Sequence, residues 1–180
     1  MVGCWNRNKY PIMDIERSPN QKMEGTRKSE IWRERERTDK EQKFVEEEVR
    51  THVADESFRL LKEEEVKIGN PLTIVETHKM RMCMDCRYLN AFIAPQEFKM
   101  ETLLKVTDLI EREDVMFTTD LEKAYYAVPI EEEAQGYLAF KTGMGGDWQW
   151  ATSRVIVFGE AQAPYYFTKI VRKSIIKWAR

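Results

Sequence analysis

The apolar residues of this chain change their spacing several times, and these changes constrain the fold more than any other feature. Residues 38–67 have the spacing of an amphipathic helix, and Gly69-Asn70-Pro71 follows as a helix terminator. Residues 72–75 and 79–85 have the short pattern of strands joined by a brief polar link, which predicts a β-hairpin. A chain that switches between the two periods in this way is expected to have an α+β fold.

The second half of the chain shows the same switching. Residues 99–112 have helical spacing, and residues 115–120 form a short apolar run that predicts a buried strand. Residues 137–141 and 148–152 flank a glycine-rich loop, which predicts a second hairpin. A final helix is expected around Pro164 and onward to the end of the chain, since proline is tolerated in the first turn of a helix.

The charge pattern limits the functional classes. The net charge of −2 gives no overall basic surface, so the total charge does not indicate a nucleic-acid partner. Residues 1–38 have little apolar periodicity and carry alternating charges, which predicts a disordered or weakly helical arm. The acidic runs at 46–48 and 63–65 are interpreted as solvated faces of a helix and not as metal clusters.

The three cysteines, Cys4, Cys83 and Cys86, are too few for a disulfide framework and favour a reducing compartment. Cys83 and Cys86 have the spacing of metal ligands, but residues three apart on a strand point to opposite faces, so no metal site is expected there. The sequence has no apolar run long enough to cross a membrane and no signal-peptide core. We therefore expect an intracellular protein of the cytoplasm or nucleus that is not secreted and has no membrane partner.

One carboxylate, Asp120, stands at the end of the apolar run at residues 115–120, and a turn with Tyr125 and Tyr126 follows at once. A carboxylate that a buried strand holds in place can bind a divalent metal. The alternative is a strand-end aspartate that caps a turn. The local spacing leaves both possibilities open.

Three blocks of the sequence resemble motifs of reverse transcriptases of the retrotransposon and pararetrovirus type. Residues 81–90 have the sequence RMCMDCRYLN, where the family has R-x-x-x-D-x-R-x-L-N. Residues 120–130, DLEKAYYAVPI, resemble the first palm motif, and residues 158–167, FGEAQAPYYF, resemble F-G-x-x-x-A-P-x-x-F. The resemblance covers about residues 40–180. It implies the fingers and partial palm of a right-hand polymerase, with fingers-like residues 39–114 and an incomplete palm sheet within residues 115–180.

The resemblance also implies template-directed DNA synthesis from dNTPs on an RNA or DNA template-primer, with Mg²⁺ as the cofactor. Asp120 would be a catalytic carboxylate and metal ligand, and Tyr125 would exclude a ribose 2′-hydroxyl by repulsion. The expected dNTP-binding residues are Arg81, Lys123, Ala124, Tyr125, Phe158 and Gly159. A structural role in the fingers motif, as a buried Asp–Arg pair with an asparagine, is expected for Asp85, Arg87 and Asn90. Two alternatives remain, a surface arginine for Arg81 and a half-buried core aromatic for Tyr125.

The sequence departs from the family's pattern in three places. The link at residues 76–79 keeps only Lys79 where the family has a lysine pair and a glycine, which weakens the expected grip on the triphosphate. Glu160 stands where leucine is usual, and an acid there is expected to disturb the nucleotide pocket. No Asp-Asp pair occurs in the sequence, and no Y-x-D-D hairpin appears before Arg180.

These departures predict that the chain alone is inactive, because one carboxylate does not hold two metal ions. They also predict an unpaired sheet edge beside the strand at residues 115–120. The alternatives to a polymerase fragment are a non-catalytic remnant of a retroelement and an interaction protein that acts through the helix at residues 38–67. The oligomeric state is not predicted.

Overall fold

A computed structural model describes residues 36–94, 96–100, 108, 110–116, 118, 120–143 and 147–178, with side chains up to residue 174. The first element is helix α1, Asp39–Ala54. Thr38 caps it, because its hydroxyl accepts from the Glu41 N–H and the Glu41 carboxylate accepts from the Thr38 N–H. Val45 and Val49 lie fully buried on one face of α1, so this face packs into the core of the chain.

The prediction of one helix over residues 38–67 is wrong beyond Ala54. The Ser57 N–H donates to the Asp55 Oδ1 at 3.0 Å, and Glu56 has a φ of 62°, so the chain turns away from the helix axis. Strand β1, Phe58–Leu61, follows, with a 3₁₀ turn at Glu63–Glu65. The acidic side chains of this turn are exposed, which confirms that they are solvated, although not on a helix.

Both predicted hairpins are confirmed. Strands β2, Leu72–Glu76, and β3, Met80–Met84, pair antiparallel with Leu72 opposite Met84. A short helix, α2, Arg87–Asn90, follows β3. Later in the chain, strands β4, Ala139–Thr142, and β5, Gln149–Ser153, pair antiparallel, and β1 adds to the other edge of β5. The resulting sheet has the order β1-β5-β4.

The core lies between α1, the three-stranded sheet and the final helix. Phe58 and Phe140 meet there edge to face, with ring centroids 5.4 Å apart, and Phe140 is fully buried. The final helix, Ala163–Trp178, has Pro164 in its first turn, which confirms the prediction. A short helix at Glu132–Gln135 precedes β4, so we number these two helices α3 (Glu132–Gln135) and α4 (Ala163–Trp178). Mixed helices and antiparallel strands confirm the α+β class.

The predicted buried strand at residues 115–120 is wrong for the residues that the structure describes. Residues 115, 116, 118 and 120 belong to no strand, and the side chains of Val115 and Met116 are 92% and 68% exposed. An apolar run is buried as a strand only where a neighbouring strand pairs with it, and no described strand pairs with these residues. Residues 117 and 119 lie outside the described part.

Two further predictions fall largely outside the described residues. Of the predicted helix at residues 99–112, residues 99, 100, 108 and 110–112 are described, and these are not helical. Of the predicted arm at residues 1–38, the structure describes residues 36–38 alone. Among the described elements, no helix combines the length and the apolar character that crossing a membrane requires.

Candidate functional site

The first and third of the motif blocks meet through the side chain of Asn90. Its Nδ2 donates to the Gly159 carbonyl oxygen at 2.7 Å, and its Oδ1 accepts from the Ala161 N–H at 2.9 Å. Asn90 ends α2, directly after the β2–β3 hairpin, whereas Gly159 and Ala161 belong to the turn that leads into α4. We call residues 158–161 the Phe158 turn. One carboxamide therefore joins this turn to the hairpin segment.

Gly159 brings the Phe158 turn against the end of β3. It has a φ of 103°, which side chains rarely tolerate, and a Cβ at this position would lie 2.6 Å from the Met84 carbonyl oxygen. This contact requires glycine whether or not a nucleotide binds. The expected approach of the Gly159 backbone to a nucleotide stays a prediction.

The middle motif block reaches the same place through Tyr125, which lies in a 3₁₀ turn at Ala124–Ala127. The rings of Tyr125 and Phe158 are stacked, with centroids 4.5 Å apart and planes inclined by 19°. Phe167 of α4 packs against the same tyrosine at 5.1 Å. Tyr125 is half-buried and Phe158 is 59% exposed, so the pair presents part of an aromatic surface to solvent. Burial, and then the Glu160 carboxylate, raise the pKa of Tyr125.

Backbone hydrogen bonds fix the spacing between the Tyr125 turn and the Phe158 turn. The Ile156 N–H donates to the Val128 carbonyl oxygen at 3.0 Å, and the Ile130 N–H donates to the Arg154 carbonyl oxygen at 2.9 Å. The segment that leaves Tyr125 thus runs beside the segment that enters Phe158. The stacked ring pair is therefore a consequence of backbone pairing as well as of ring packing.

The Glu160 carboxyl is buried, with 3% of the residue exposed. Its Oε1 accepts from the Gln162 N–H at 2.8 Å near the start of α4, while no described residue hydrogen-bonds to its Oε2. Burial raises the pKa of Glu160, against the opposing effect of the backbone hydrogen bonds it accepts. Burial, reinforced by Glu160, also raises the pKa of the Cys86 thiol to about 12. An acid here is accommodated inside the protein, and its expected effect on a nucleotide pocket stays a prediction.

Asp85 and Arg87 form the pair expected from the sequence, but the pair is not buried as a unit. Arg87 Nε donates to Asp85 Oδ1 at 2.8 Å and Nη2 donates to Oδ2 at 2.6 Å, while the Arg87 side chain is 89% exposed. These hydrogen bonds hold the pKa of Asp85 below its ordinary value. The expectation of a buried pair is wrong, because the Arg87 side chain is exposed and the hydrogen bonds to Asp85 form at the surface.

A cluster around His52 was not predicted from the sequence. The imidazole is 4% exposed and stacks on Tyr126, with centroids 4.4 Å apart, while Nδ1 lies 3.3 Å from Asp55 Oδ2. Burial raises the pKa of Tyr126 to about 12. The signal was present in the sequence, because His52 follows Val45 and Val49 on the buried stripe of α1. This cluster ties α1 to the turn that carries Tyr125.

The other predicted site residues lie on the surface or at its edge. Arg81 is exposed on β3, opposite Val75, and Asp120 is exposed in a segment without regular structure. Lys123 adopts a left-handed conformation with φ 49°, and its Nζ lies 3.9 Å from Asp55 Oδ2. Ala124, at the start of the 3₁₀ turn, is half-buried. The structure therefore brings Tyr125, Phe158, Gly159 and Asn90 together and leaves Arg81 and Asp120 apart from that cluster's hydrogen bonds and ring contacts.

The described residues do not complete the magnesium site that the resemblance implies, and the Mg²⁺ expectation stays a prediction. Mg²⁺ in a polymerase is held by carboxylates together with substrate phosphates. Within the described ranges, no group of three or more histidine, cysteine, aspartate or glutamate side chains is arranged to hold a metal ion. Asp120 is exposed, residues 117 and 119 beside it lie outside the described part, and we derive no chemical step through a metal.

Comparison with solved structures shows a similarity to a foamy viral protease-reverse transcriptase (dRH) in complex with double-stranded DNA. The TM-score is 0.53 and the identity 17%, and the match covers 67% of this chain and 20% of that chain. No family model matches the chain, and no curated protein does. At this identity the similarity concerns the fold alone. The fold of this chain is thus similar to part of a protease-reverse transcriptase. The region matched by this chain covers about a fifth of that protein's length.

Proposed function

We propose that this chain is part of a reverse transcriptase-like polymerase, with residues 39–114 as a fingers segment and residues 115–180 as a partial palm. One observation carries the proposal. The three blocks that resemble the family's motifs in sequence meet in space, through the Asn90–Gly159 hydrogen bond and the Tyr125–Phe158 stack. Unrelated chance matches would have no reason to converge. The similarity to the foamy viral protease-reverse transcriptase supports the same conclusion.

The proposed ligands are an incoming dNTP and a template-primer. The half-exposed Tyr125–Phe158 pair offers an aromatic face on which a nucleotide packs. In this proposal the ring of Tyr125 lies below the sugar of the bound nucleotide and excludes a ribose 2′-hydroxyl by repulsion. In the same proposal the guanidinium of Arg81 binds phosphate oxygens, and the backbone of Lys123 and Ala124 approaches the triphosphate.

Catalysis needs more than the described residues supply. Asp120 is the proposed metal ligand, but a two-metal site uses further carboxylates that the described part of the chain does not group around it. We therefore propose that the 180-residue chain binds nucleotides without polymerising them.

The structure weakens one alternative. An interaction protein working through residues 38–67 needs an apolar helix face free for a partner. The Val45 and Val49 face of α1 is fully buried within the chain's own core, and residues 58–61 are a strand. The interaction hypothesis therefore has no helical surface of the expected kind.

Nucleotide binding tests the proposal. The 180-residue protein is titrated with dATP and with ATP while the backbone amide resonances of Gly159 and Ala161, which are present in every variant, are followed by NMR. We expect dATP to bind about tenfold more tightly than ATP, since rejecting one hydroxyl contributes up to about a hundredfold. Tyr125→Ala should reduce that preference, and Phe158→Ala should weaken both nucleotides. Tyr88→Ala, which removes a 40% exposed aromatic outside the cluster, is the matched control.

Two outcomes contradict the proposal. Equal responses of Tyr88→Ala and Tyr125→Ala would show that the aromatic pair is not the nucleotide site. Mg²⁺-dependent primer extension by the purified chain, lost in Asp120→Ala, would overturn the statement that it does not polymerise.

A further inference from the structure

We propose that Asn90 is a positioning residue that holds the Phe158 turn and thereby sets the stacking of Phe158 on Tyr125. The inference rests on the proposed function, because it assigns Asn90 to the site where a nucleotide would pack. It differs from the role expected from sequence, in which Asn90 stabilised the β2–β3 hairpin together with Asp85 and Arg87. In the structure, the side chain of Asn90 hydrogen-bonds away from that pair and toward the turn.

The chemistry of the bond pair requires asparagine. Nδ2 donates to the Gly159 carbonyl oxygen while Oδ1 accepts from the Ala161 N–H, so one planar group satisfies a carbonyl and an amide two residues apart. Aspartate keeps the acceptor but offers no donor at neutral pH, and it places a negative charge beside a carbonyl oxygen. Alanine loses both bonds. Each substitution therefore removes a different part of the link.

Asn90 is itself held firmly. Its backbone N–H donates to the Cys86 carbonyl oxygen at 2.7 Å, and its neighbour Leu89 is fully buried in the core. The hairpin that precedes it is anchored by the Asp85 N–H, which donates to the Pro71 carbonyl oxygen at 2.8 Å. The backbone that carries the Asn90 carboxamide is thus fixed by its own contacts, independently of the Phe158 turn.

The position of the Phe158 ring depends on the hydrogen bonds of Asn90 more than the positions of neighbouring residues do. Phe158 is 59% exposed and therefore lacks the enclosure that fixes core aromatics such as Phe140. The next residue, Gly159, carries the carbonyl that Asn90 holds and lies against Met84. Release of that carbonyl lets the turn rotate, and the Phe158 ring then moves relative to Tyr125. A nucleotide site that uses this ring pair loses its preformed geometry.

The test compares wild type with Asn90→Asp and Asn90→Ala, and uses Asp85→Asn as the matched control in the same motif. Two readouts do not need a nucleotide: the nuclear Overhauser contact between the rings of Tyr125 and Phe158, and hydrogen exchange of the Ala161 amide. We expect both Asn90 variants to weaken the ring contact. Asn90→Ala should also speed Ala161 exchange about tenfold, as loss of one hydrogen bond predicts, whereas Asn90→Asp should leave it protected. Asp85→Asn should change neither readout.

The dATP titration separates the two proposals. If wild type binds dATP, both Asn90 variants should bind it about fivefold more weakly, within the range of one lost hydrogen bond. If wild type does not bind dATP, the proposed function fails, while the ring contact still decides the role of Asn90. An unchanged ring contact in both variants overturns the inference. Asn90→Asp is nearly isosteric, so its result stands even if Asn90→Ala does not fold.

Discussion

Replacing Gly159 by alanine tests the close approach between the Phe158 turn and the end of β3. Two physical effects oppose the substitution. The φ of 103° is strained for any residue with a Cβ, and the added methyl would lie 2.6 Å from the Met84 carbonyl oxygen. That atom belongs to the backbone of a paired strand, so it does not swing aside as the end of a flexible side chain would. The turn or the strand must move instead.

The expected loss of stability follows from these two effects. Backbone strain at a disfavoured φ costs about 1–3 kcal/mol. Displacing packed backbone to admit a methyl group costs about another 1–3 kcal/mol. We therefore expect Gly159→Ala to lower the free energy of unfolding by about 2–6 kcal/mol, which corresponds to a melting temperature about 4–24 °C lower for a chain of this size.

Urea denaturation followed by circular dichroism measures the loss, and Gly143→Ala is the matched control. A Cβ on Gly143 would also lie 2.6 Å from another atom, but that atom is the side-chain Nε2 of Gln42, and Gly143 does not have a positive φ. Gln42 can swing away, and the hydrogen bond it gives to Glu46 contributes only about 1 kcal/mol. Alanine also restricts the unfolded chain, which offsets about 0.4–1 kcal/mol. The control should therefore stay within about 1 kcal/mol of wild type.

The comparison discriminates between two explanations of Gly159. If this glycine served only to let a nucleotide approach, Gly159→Ala would reduce binding and leave stability unchanged. Equal unfolding free energies for Gly159→Ala and Gly143→Ala would refute the close approach of Gly159 to the Met84 carbonyl oxygen as the reason for glycine at this position.

Three further predictions concern charge and burial. Because burial raises the pKa of Glu160, this group stabilises the fold fully below its ordinary pKa of 4.5, and that stability is lost as the pH rises through the folded-state value. Glu160→Gln should therefore gain stability over wild type as the pH is raised from 4.5 in urea titrations, and a constant difference across pH would contradict this. Arg87→Ala should raise the pKa of Asp85 toward its ordinary value in an NMR titration of the carboxyl carbon, because the hydrogen bonds from Arg87 lower that pKa. An unchanged Asp85 pKa would show that the Asp85–Arg87 pair does not persist in solution. Phe140→Ala should cost about 3–5 kcal/mol of stability, because Phe140 is fully buried, whereas Val115→Ala should cost at most about 0.5 kcal/mol, because Val115 is 92% exposed. A comparable loss for both variants, measured by urea denaturation, would support the buried strand predicted from sequence.

Elements bounded by strong local signals were predicted well. The β2–β3 hairpin, the β4–β5 hairpin and the helix around Pro164 each combine a clear period with turn or proline chemistry in adjacent residues. Such elements depend on interactions within a few residues, which sequence spacing reports directly. The chemistry of residues 81–90 and 158–167 was also visible as motifs, although not the bonds between them.

Predictions failed where distant segments decide the outcome. Residues 58–61 have apolar spacing that suits a helix or a strand, and pairing with β5 makes them a strand. Residues 115–120 have the composition of a buried strand, but Val115 and Met116 are exposed because no described strand pairs with them. The pair of Asp85 and Arg87 was correctly identified, yet the sequence did not show that the arginine is exposed, because exposure depends on which distant segments cover it.

The sequence by itself determined that this chain alternates helices and antiparallel hairpins and that it carries three blocks resembling reverse transcriptase motifs. Local periodicity and turn residues suffice for this, because they act between neighbours along the chain. Only the tertiary structure decided that Asn90 holds the Phe158 turn, that Gly159 lies against Met84, and that Tyr125 stacks on Phe158. These contacts join residues far apart in sequence, and hydrogen bonds and burial between such residues form only when the folded backbone brings them within reach.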